Sequence, residues 1–211
     1  MRRVFVNPER PHRDAVQEAA ARIRRGGVVA LPTDTLYALA ADPFSREAIA
    51  RLFDAKDRPA ERALPLVAAD AAQVEASLGA LPAPGVRLAA AFWPGPLTLL
   101  VAARPGLAPD VTGGTGRVGV RVPDDEVARA VCRAVGHPVT ATSANISGQP
   151  ATADPAEVER TLGARIDLLL DGGATRGGAP STIVDVTGAE MRLVRAGAIP
   201  WEKIQACLAR G

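Results

Sequence analysis

The chain has 211 residues, of which 47% are hydrophobic and only 3% aromatic, so its core must consist mainly of Ala, Val and Leu. A net charge of +2 is too small to indicate a nucleic-acid-binding protein. Cys132 and Cys207 lie far apart without metal-binding spacing, and no apolar run approaches the ~18 residues of a membrane helix. We therefore expect a cytoplasmic protein of one domain, residues 1–211, with no membrane contact and no metal site of its own.

Hydrophobic periodicity predicts an irregular alternation of helices and strands. A helix at 12–25 is followed by a buried strand at 28–32, and Ser45 is the expected N-cap of a helix to about 55. The other predicted helices are at 70–78, 84–92, 124–135, 154–163 and 200–210, and the other strands are at 64–68, 97–103, 117–122, 137–142, 166–171, 181–186 and 191–197, the last two forming a hairpin. This order predicts an α/β domain around a mixed sheet, with its core at about 12–199.

Two common signals are weak in this sequence. "GTGRVG" at 114–119 matches GxGxxG but runs into a strand, whereas a dinucleotide site requires a helix there. His12 and His137 are expected at the surface or in packing, and Ser143 has no GxSxG context for hydrolase chemistry. Neither a Rossmann site nor a serine hydrolase is favoured.

Four polar clusters are expected at or just after the ends of predicted apolar strands, where open α/β sheets place ligand sites. They are Thr33-Asp34-Thr35 with Tyr37; Lys56-Asp57-Arg58-Pro59 with Arg62; Thr140, Thr142, Ser143, Ala144 and Asn145; and Ser181-Thr182 with Arg195. Small hydroxyls also serve as turn-formers and helix caps, so no single residue here identifies a site. Together the clusters favour a polar ligand.

The cations in these clusters have two interpretations each. If Pro59 keeps Arg58 extended, Lys56 and Arg58 point to one side and suit an oligophosphate; a solvated turn is the alternative. Arg117 and Arg121 share one face of a strand. They are either exposed to solvent or directed at a carboxylate.

Seven blocks of the chain resemble, in order, the YrdC/Sua5 family. They are "GGVVALPTDTLYALAAD", "AKDRPAERALPL", "FWPGPLTLLV", "VGVRVPD", "ATSANISGQPA", "GGATRGGAPSTIVDV" and "LVRAGAI". The resemblance implies a twisted α/β sheet with a basic concave face. It also implies a threonylcarbamoyl-AMP synthase that converts L-threonine, bicarbonate and ATP, the last with Mg²⁺, to L-threonylcarbamoyl-adenylate and pyrophosphate. The product would then modify adenosine 37 of tRNA through threonylcarbamoyl-transfer proteins of the TsaD/TsaB/TsaE type, so that tRNA is an indirect partner.

The resemblance also assigns roles to individual residues. Thr35, Arg121, Ala141 and Ser181 match threonine-binding positions, and Arg121 matches the arginine that holds the threonine carboxylate. The ATP-binding positions correspond to Lys56, Arg58, Arg62, Arg117, Ser143, Asn145, Ala151 and Arg195, of which Lys56 and Arg58 are the expected catalytic residues. Ala38 replaces a glycine of the family pattern, and its methyl group would be strained if that position needs a positive φ.

Two other functions remain open. A basic concave face could bind double-stranded RNA or a ribosome precursor. Related folds also occur as carbamoyl-transfer domains of hydrogenase-maturation and antibiotic carbamoyltransferase proteins, but the additional modules of those proteins do not occur in this sequence.

Overall fold

The computed structural model describes residues 1–57 and 63–209. Its helices are α1 (Arg13–Arg24), α2 (Arg46–Lys56), α3 (Ala71–Leu78), α4 (Ala83–Phe92), α5 (Glu126–Val135), α6 (Pro155–Leu162) and α7 (Trp201–Ala209). Its strands are β1 (Arg2–Phe5), β2 (Val29–Leu31), β3 (Ala38–Ala40), β4 (Leu66–Val67), β5 (Leu97–Ala102), β6 (Arg117–Arg121), β7 (Val139–Thr140), β8 (Thr142–Ser143), β9 (Leu168–Asp171), β10 (Thr182–Asp185) and β11 (Arg192–Arg195). The predicted mixed α/β class is confirmed.

The strands form two mixed sheets. The five-stranded sheet has the order β1-β9-β2-β3-β8, and the six-stranded sheet has the order β11-β10-β5-β6-β4-β7. Both contain parallel and antiparallel pairs: β2 is parallel to β9 and antiparallel to β3, while β5 is parallel to β10 and antiparallel to β6. The predicted hairpin is confirmed as the antiparallel pair of β10 and β11.

Strand β2 is buried on both faces, which explains its continuous apolar sequence. Val29 and Leu31 belong to one hydrophobic cluster, together with residues of α1 and α5, whereas Ala30 belongs to another that includes residues of the six-stranded sheet. The predicted apolar face of α1 is confirmed, since Val16, Ala19, Ala20 and Ile23 are all buried.

The predicted strand at 137–142 is in fact two short strands in different sheets. Strand β7 pairs with β4 of the six-stranded sheet, and β8 pairs with β3 of the five-stranded sheet. Ala141 lies between them, and its backbone N–H donates to the carbonyl of Pro65 at 2.8 Å. The chain therefore crosses from one sheet to the other at Ala141.

The ends of α2 follow from its sequence. The Ser45 hydroxyl accepts from the N–H of Ala48 at 3.2 Å, which confirms the predicted N-cap. The helix ends where Asp57 adopts a left-handed conformation with φ of 49°. No helix within residues 1–57 and 63–209 is long and apolar enough to cross a membrane.

Gly197 follows β11 at a point where two backbone segments touch. A Cβ at Gly197 would lie 2.3 Å from the carbonyl oxygen of Pro180 and 2.5 Å from the carbonyl carbon of Ser181. The next residue, Ala198, donates its N–H to that same Pro180 oxygen at 2.9 Å. Only glycine permits this approach.

We expect Gly197→Ala to lower the free energy of unfolding by about 1–3 kcal/mol, because the added methyl group must displace backbone. Gly85→Ala is the matched control, since a Cβ on this α4 residue would meet no atom closer than 3.4 Å. It should be neutral or stabilising by less than about 1 kcal/mol. Urea denaturation measures both, and equal effects of the two substitutions would contradict the close approach.

Candidate functional site

A cavity of about 390 Å³ is bordered by both sheets. Six of the sequence-predicted site residues line it: Thr35, Arg121, Ala141, Ser143, Ser181 and Arg195. They include the whole proposed threonine set and come from segments spread over 160 positions of the chain. Of the remaining predicted residues, Lys56, Arg117, Asn145 and Ala151 do not line the cavity, and Arg58 and Arg62 lie outside the described residues.

The turn between β2 and β3 forms one wall of the cavity. The Thr33 hydroxyl is almost fully buried, donates to the carbonyl of Leu36 at 2.7 Å and accepts from the N–H of Thr35 at 3.2 Å. The Thr33 and Thr35 hydroxyl oxygens are 3.1 Å apart. Thr33 therefore fixes the turn from inside, and Thr35 presents its side chain at the cavity.

Tyr37 ties this wall to the glycine-rich segment at 172–180. Its hydroxyl donates to the carbonyl of Gly173 at 2.8 Å and accepts from the N–H of Gly172 at 3.1 Å. Burial raises the pKa of the Tyr37 hydroxyl, so it stays protonated and keeps its donor role. The Thr175 hydroxyl adds a hydrogen bond to the carbonyl of Thr35 at 2.8 Å.

Ala38 fits its position without backbone strain. It lies in β3, paired with Leu31 on one side and Ser143 on the other, and its φ is not positive. The residue is buried and lines the cavity. The strain that would accompany a left-handed conformation is therefore absent.

Arg121 forms a buried ion pair with Asp34. Its NH1 lies 2.5 Å from Oδ1 of Asp34, and the two side chains are 10% and 5% exposed. Sequence reasoning placed Asp34 only among the polar residues of the turn and missed this pairing, since the partners are 87 positions apart. For Arg121 the solvent-exposed interpretation is wrong.

Arg117 has a different environment on the same strand. Its side chain is 51% exposed and its NH1 lies 2.6 Å from Oδ2 of Asp185. The hydroxyl of Thr187 and the charge of Arg117 help to hold the pKa of the Asp185 carboxyl below its usual value, against the opposing effect of burial. Arg117 is therefore a half-exposed cation away from the cavity.

Ser181, which also lines the cavity, contacts two other polar side chains. Its hydroxyl lies 2.8 Å from that of the buried Thr98. Arg195 donates to the Ser181 carbonyl through Nε at 3.2 Å and NH2 at 2.7 Å, and to the Ser181 hydroxyl at 3.0 Å. Burial and the nearby charge of Arg121 lower the pKa of the Arg195 guanidinium. Two cations, Arg121 and Arg195, therefore line the same cavity.

Lys56 connects α2 to the segment that follows β8. Its ammonium is buried and donates to the carbonyl of Ser143, to the carbonyl of Asn145 at 2.8 Å and to Oδ1 of Asn145 at 3.0 Å. Its own carbonyl accepts from the N–H of Ser147 at 2.7 Å. Lys56 is the last residue of helix α2. Its backbone is therefore helical, whereas the interpretation that Lys56 and Arg58 point to one side assumes an extended backbone.

The side chains of Ser143 and Asn145 complete this network. The Ser143 hydroxyl donates to Oδ1 of Asn145 at 2.5 Å, and Nδ2 of Asn145 donates to the carbonyl of Gln149 at 2.5 Å. Lys56 and Asn145 therefore set the conformation of residues 143–149, while Ser143 also faces the cavity.

The weak sequence signals are explained by the structure. Gly114 and Gly116 have positive φ and lead directly into β6, so no helix begins at the GxGxxG match. His137 packs edge-on against Phe44 with ring centroids 5.0 Å apart, as expected of a packing residue. Among the described residues, no three His, Cys, Asp or Glu side chains group as a metal centre.

A family model described as telomere recombination, Sua5_yciO_yrdC, matches residues 21–197. The chain belongs to the Sua5/YciO/YrdC family. It is similar to the threonylcarbamoyl-AMP synthase of Pyrococcus abyssi, at 38% identity over 90% of this chain and 56% of that protein. The threonylcarbamoyl-AMP synthase of Bacillus subtilis is 38% identical over 92% of this chain and 56% of that protein. The chain thus spans little more than half the length of these two relatives.

A solved structure supports the same family at the level of the fold. The crystal structure of P. abyssi Sua5 complexed with L-threonine superposes with a TM-score of 0.90, at 36% identity, covering 97% of this chain and 61% of that one. Membership of the family and the α/β fold expected from the sequence are both confirmed.

Asp125 is a carboxylic acid near the Arg121–Asp34 ion pair, and its pKa is raised. It caps α5, accepting from the N–H of Ala128 at 2.8 Å. Burial raises its pKa from 3.8 to about 6, and the charge of Asp34 adds to this. Because the folded pKa is the higher one, the stability that Asp125 contributes is fully present below about pH 4 and is lost as the pH rises through about 6.

We expect Asp125→Asn to raise the free energy of unfolding by on the order of 1 kcal/mol at pH 7.5 and to change it little at pH 4, since Asn retains the capping oxygen. Urea denaturation at the two pH values measures this. Asp124→Asn, which changes an exposed neighbour, is the control and should be nearly neutral at both. An increase in the free energy of unfolding of Asp125→Asn that is the same at both pH values would contradict the raised pKa of Asp125.

Proposed function

We propose that this protein is a threonylcarbamoyl-AMP synthase. It would convert L-threonine, bicarbonate and ATP to L-threonylcarbamoyl-adenylate and pyrophosphate, supplying the modification of adenosine 37 in tRNA. The observation that carries the proposal is the cavity in which Arg121, Thr35, Ala141 and Ser181 meet. The names of the two relatives and their identity to this chain support it.

The chemistry of the cavity suits threonine. Among the described residues the guanidinium of Arg121 has one hydrogen-bond acceptor, Asp34, reached through NH1, so further N–H groups are available to a carboxylate. The hydroxyls of Thr35 and Ser181 can bond a ligand hydroxyl or amine. Apolar surface from Leu66, Val67 and Ile183 can contact a methyl group.

The reaction needs positioning and charge neutralisation more than a strong base. Bicarbonate loses hydroxide to give CO₂, and the neutral threonine amine attacks its carbon. An N–C bond forms, and the proton lost by the amine combines with the hydroxide as water, which leaves a carbamate. A carbamate oxygen then attacks the α-phosphorus of ATP, and the bond to pyrophosphate breaks. Cations fixed near the developing charge stabilise such a step, so a site without histidine or cysteine can perform it.

ATP is proposed to lie beside the threonine site, entering with Mg²⁺ as a substrate complex. Arg195 and Ser143 line the cavity and would reach the nucleotide directly, while Lys56 and Asn145 would act through the conformation of residues 143–149. Arg58, Arg62, Arg117 and Ala151 remain predicted nucleotide contacts. Bicarbonate, the threonylcarbamoyl-transfer proteins and a cytoplasmic location belong to the same proposal.

Pyrophosphate release tests the proposal. We expect release from ATP only when both threonine and bicarbonate are present, because the carbamate is the nucleophile. A coupled pyrophosphate assay with each component omitted in turn measures this. Release that is indifferent to threonine would refute the synthase, and RNA binding that survives saturating ATP and threonine would favour the RNA-binding alternative.

Three substitutions should separate the effects on the two substrates. Arg121→Ala should raise KM for threonine about 10–100-fold with a smaller effect on ATP, because a charge-assisted hydrogen bond is lost. Lys56→Ala and Arg58→Ala should weaken ATP use, the former by releasing residues 143–149.

Steady-state kinetics with each substrate varied measures both effects. Lys203→Ala is the matched control: it removes the other lysine of the chain from an exposed position on α7 and should leave both KM values unchanged. An Arg121→Ala enzyme with the wild-type KM for threonine would contradict the assignment of Arg121.

A further inference from the structure

Two arginines face the same cavity but differ in their charge environment. Arg121 is buried against a carboxylate, with NH1 2.5 Å from Asp34. Arg195 donates to the carbonyl and hydroxyl of Ser181, which are neutral acceptors, and within residues 1–57 and 63–209 it forms no ion pair. At the cavity, therefore, the charge of Arg121 is balanced by a carboxylate of the described residues, and the charge of Arg195 is not.

The difference matters because both proposed substrates carry anionic groups, although threonine, with its ammonium, is neutral overall. Threonine carries a single carboxylate, whereas ATP and pyrophosphate carry several charges. A polyanion is attracted by net charge, which Asp34 largely cancels at Arg121. A carboxylate needs directional N–H donors, which Asp34 leaves in place because it engages the guanidinium through NH1.

We propose that Asp34 separates the anionic groups of the two substrates, by making Arg121 a donor for the threonine carboxylate while directing phosphates to Arg195. Asp34 is thus a positioning residue that determines specificity through Arg121. This inference rests on the proposed function. It gives the turn between β2 and β3 a role in substrate discrimination, in addition to forming one wall of the cavity.

The placement of Asp34 supports this role. Its side chain is 5% exposed, so its charge is little screened by water at the distance of Arg121. It also borders a second cavity of about 240 Å³ behind the turn, which shares Thr35 with the larger one. Of the ion pair, the cation therefore lines the larger cavity and the carboxylate lines the smaller one.

Competition between L-threonine and pyrophosphate tests the proposal. Calorimetric titration of the wild-type chain with L-threonine should give the same Kd with and without saturating pyrophosphate. In Asp34→Asn the buried guanidinium loses its compensating charge and should attract pyrophosphate, which should raise the apparent Kd for threonine about 5-fold or more. Asp34→Glu retains the charge and should behave as the wild type.

The control and the contrary outcomes are distinct. Asp124→Asn makes the same change of charge at an exposed residue bordering the smaller cavity and should show no competition. Competition in the wild-type chain, or its absence in Asp34→Asn, would overturn the inference while leaving the synthase intact. Should Asp34→Asn fail to fold, the wild-type and Asp34→Glu titrations still decide, since competition in either contradicts it. A wild-type chain that binds no threonine would overturn both proposals.

Discussion

The ion pair between Arg121 and Asp34 is the constraint on which the site depends. Arg121 ends a strand of the six-stranded sheet, and Asp34 lies in a turn of the five-stranded sheet, so one buried contact joins the two layers at the cavity. Removing one partner would leave the other charged and buried, which costs several times more than an exposed pair contributes. The separation of the sheets, and hence the width of the cavity, is held by this contact and by the crossing of the chain at Ala141.

Polar groups around this pair divide into those that build the site and those that face a ligand. Thr33, Tyr37 and Lys56 are buried and bonded mainly to backbone carbonyls or N–H groups, so they fix three loops around the cavity. Thr35 and Ser181 present hydroxyls to its interior. Such a preorganised set of donors suits the proposed reaction, in which developing charge must be neutralised and the carbamate is the nucleophile.

The sequence predicted most elements, and its failures have identifiable causes. The apolar face of α1 and the Ser45 cap are local patterns, and the structure confirms both. Strands β1 and β3 were missed because they are short and take their pairing from strands distant in sequence. The division of 137–142 between two sheets depends on those partners as well. At the site, single residues were assigned from family motifs, but the Arg121–Asp34 pair and the bonds of Lys56 join positions about 87 apart, which no local pattern reveals.

A crystal structure of the chain with L-threonine bound would test the proposed threonine site most directly. We expect the threonine carboxylate within about 3 Å of the Arg121 guanidinium, with the Asp34 pair intact and the ligand between Thr35 and Ser181. Threonine bound outside this cavity, or with its carboxylate on Arg195 in place of Arg121, would contradict the role proposed for Arg121.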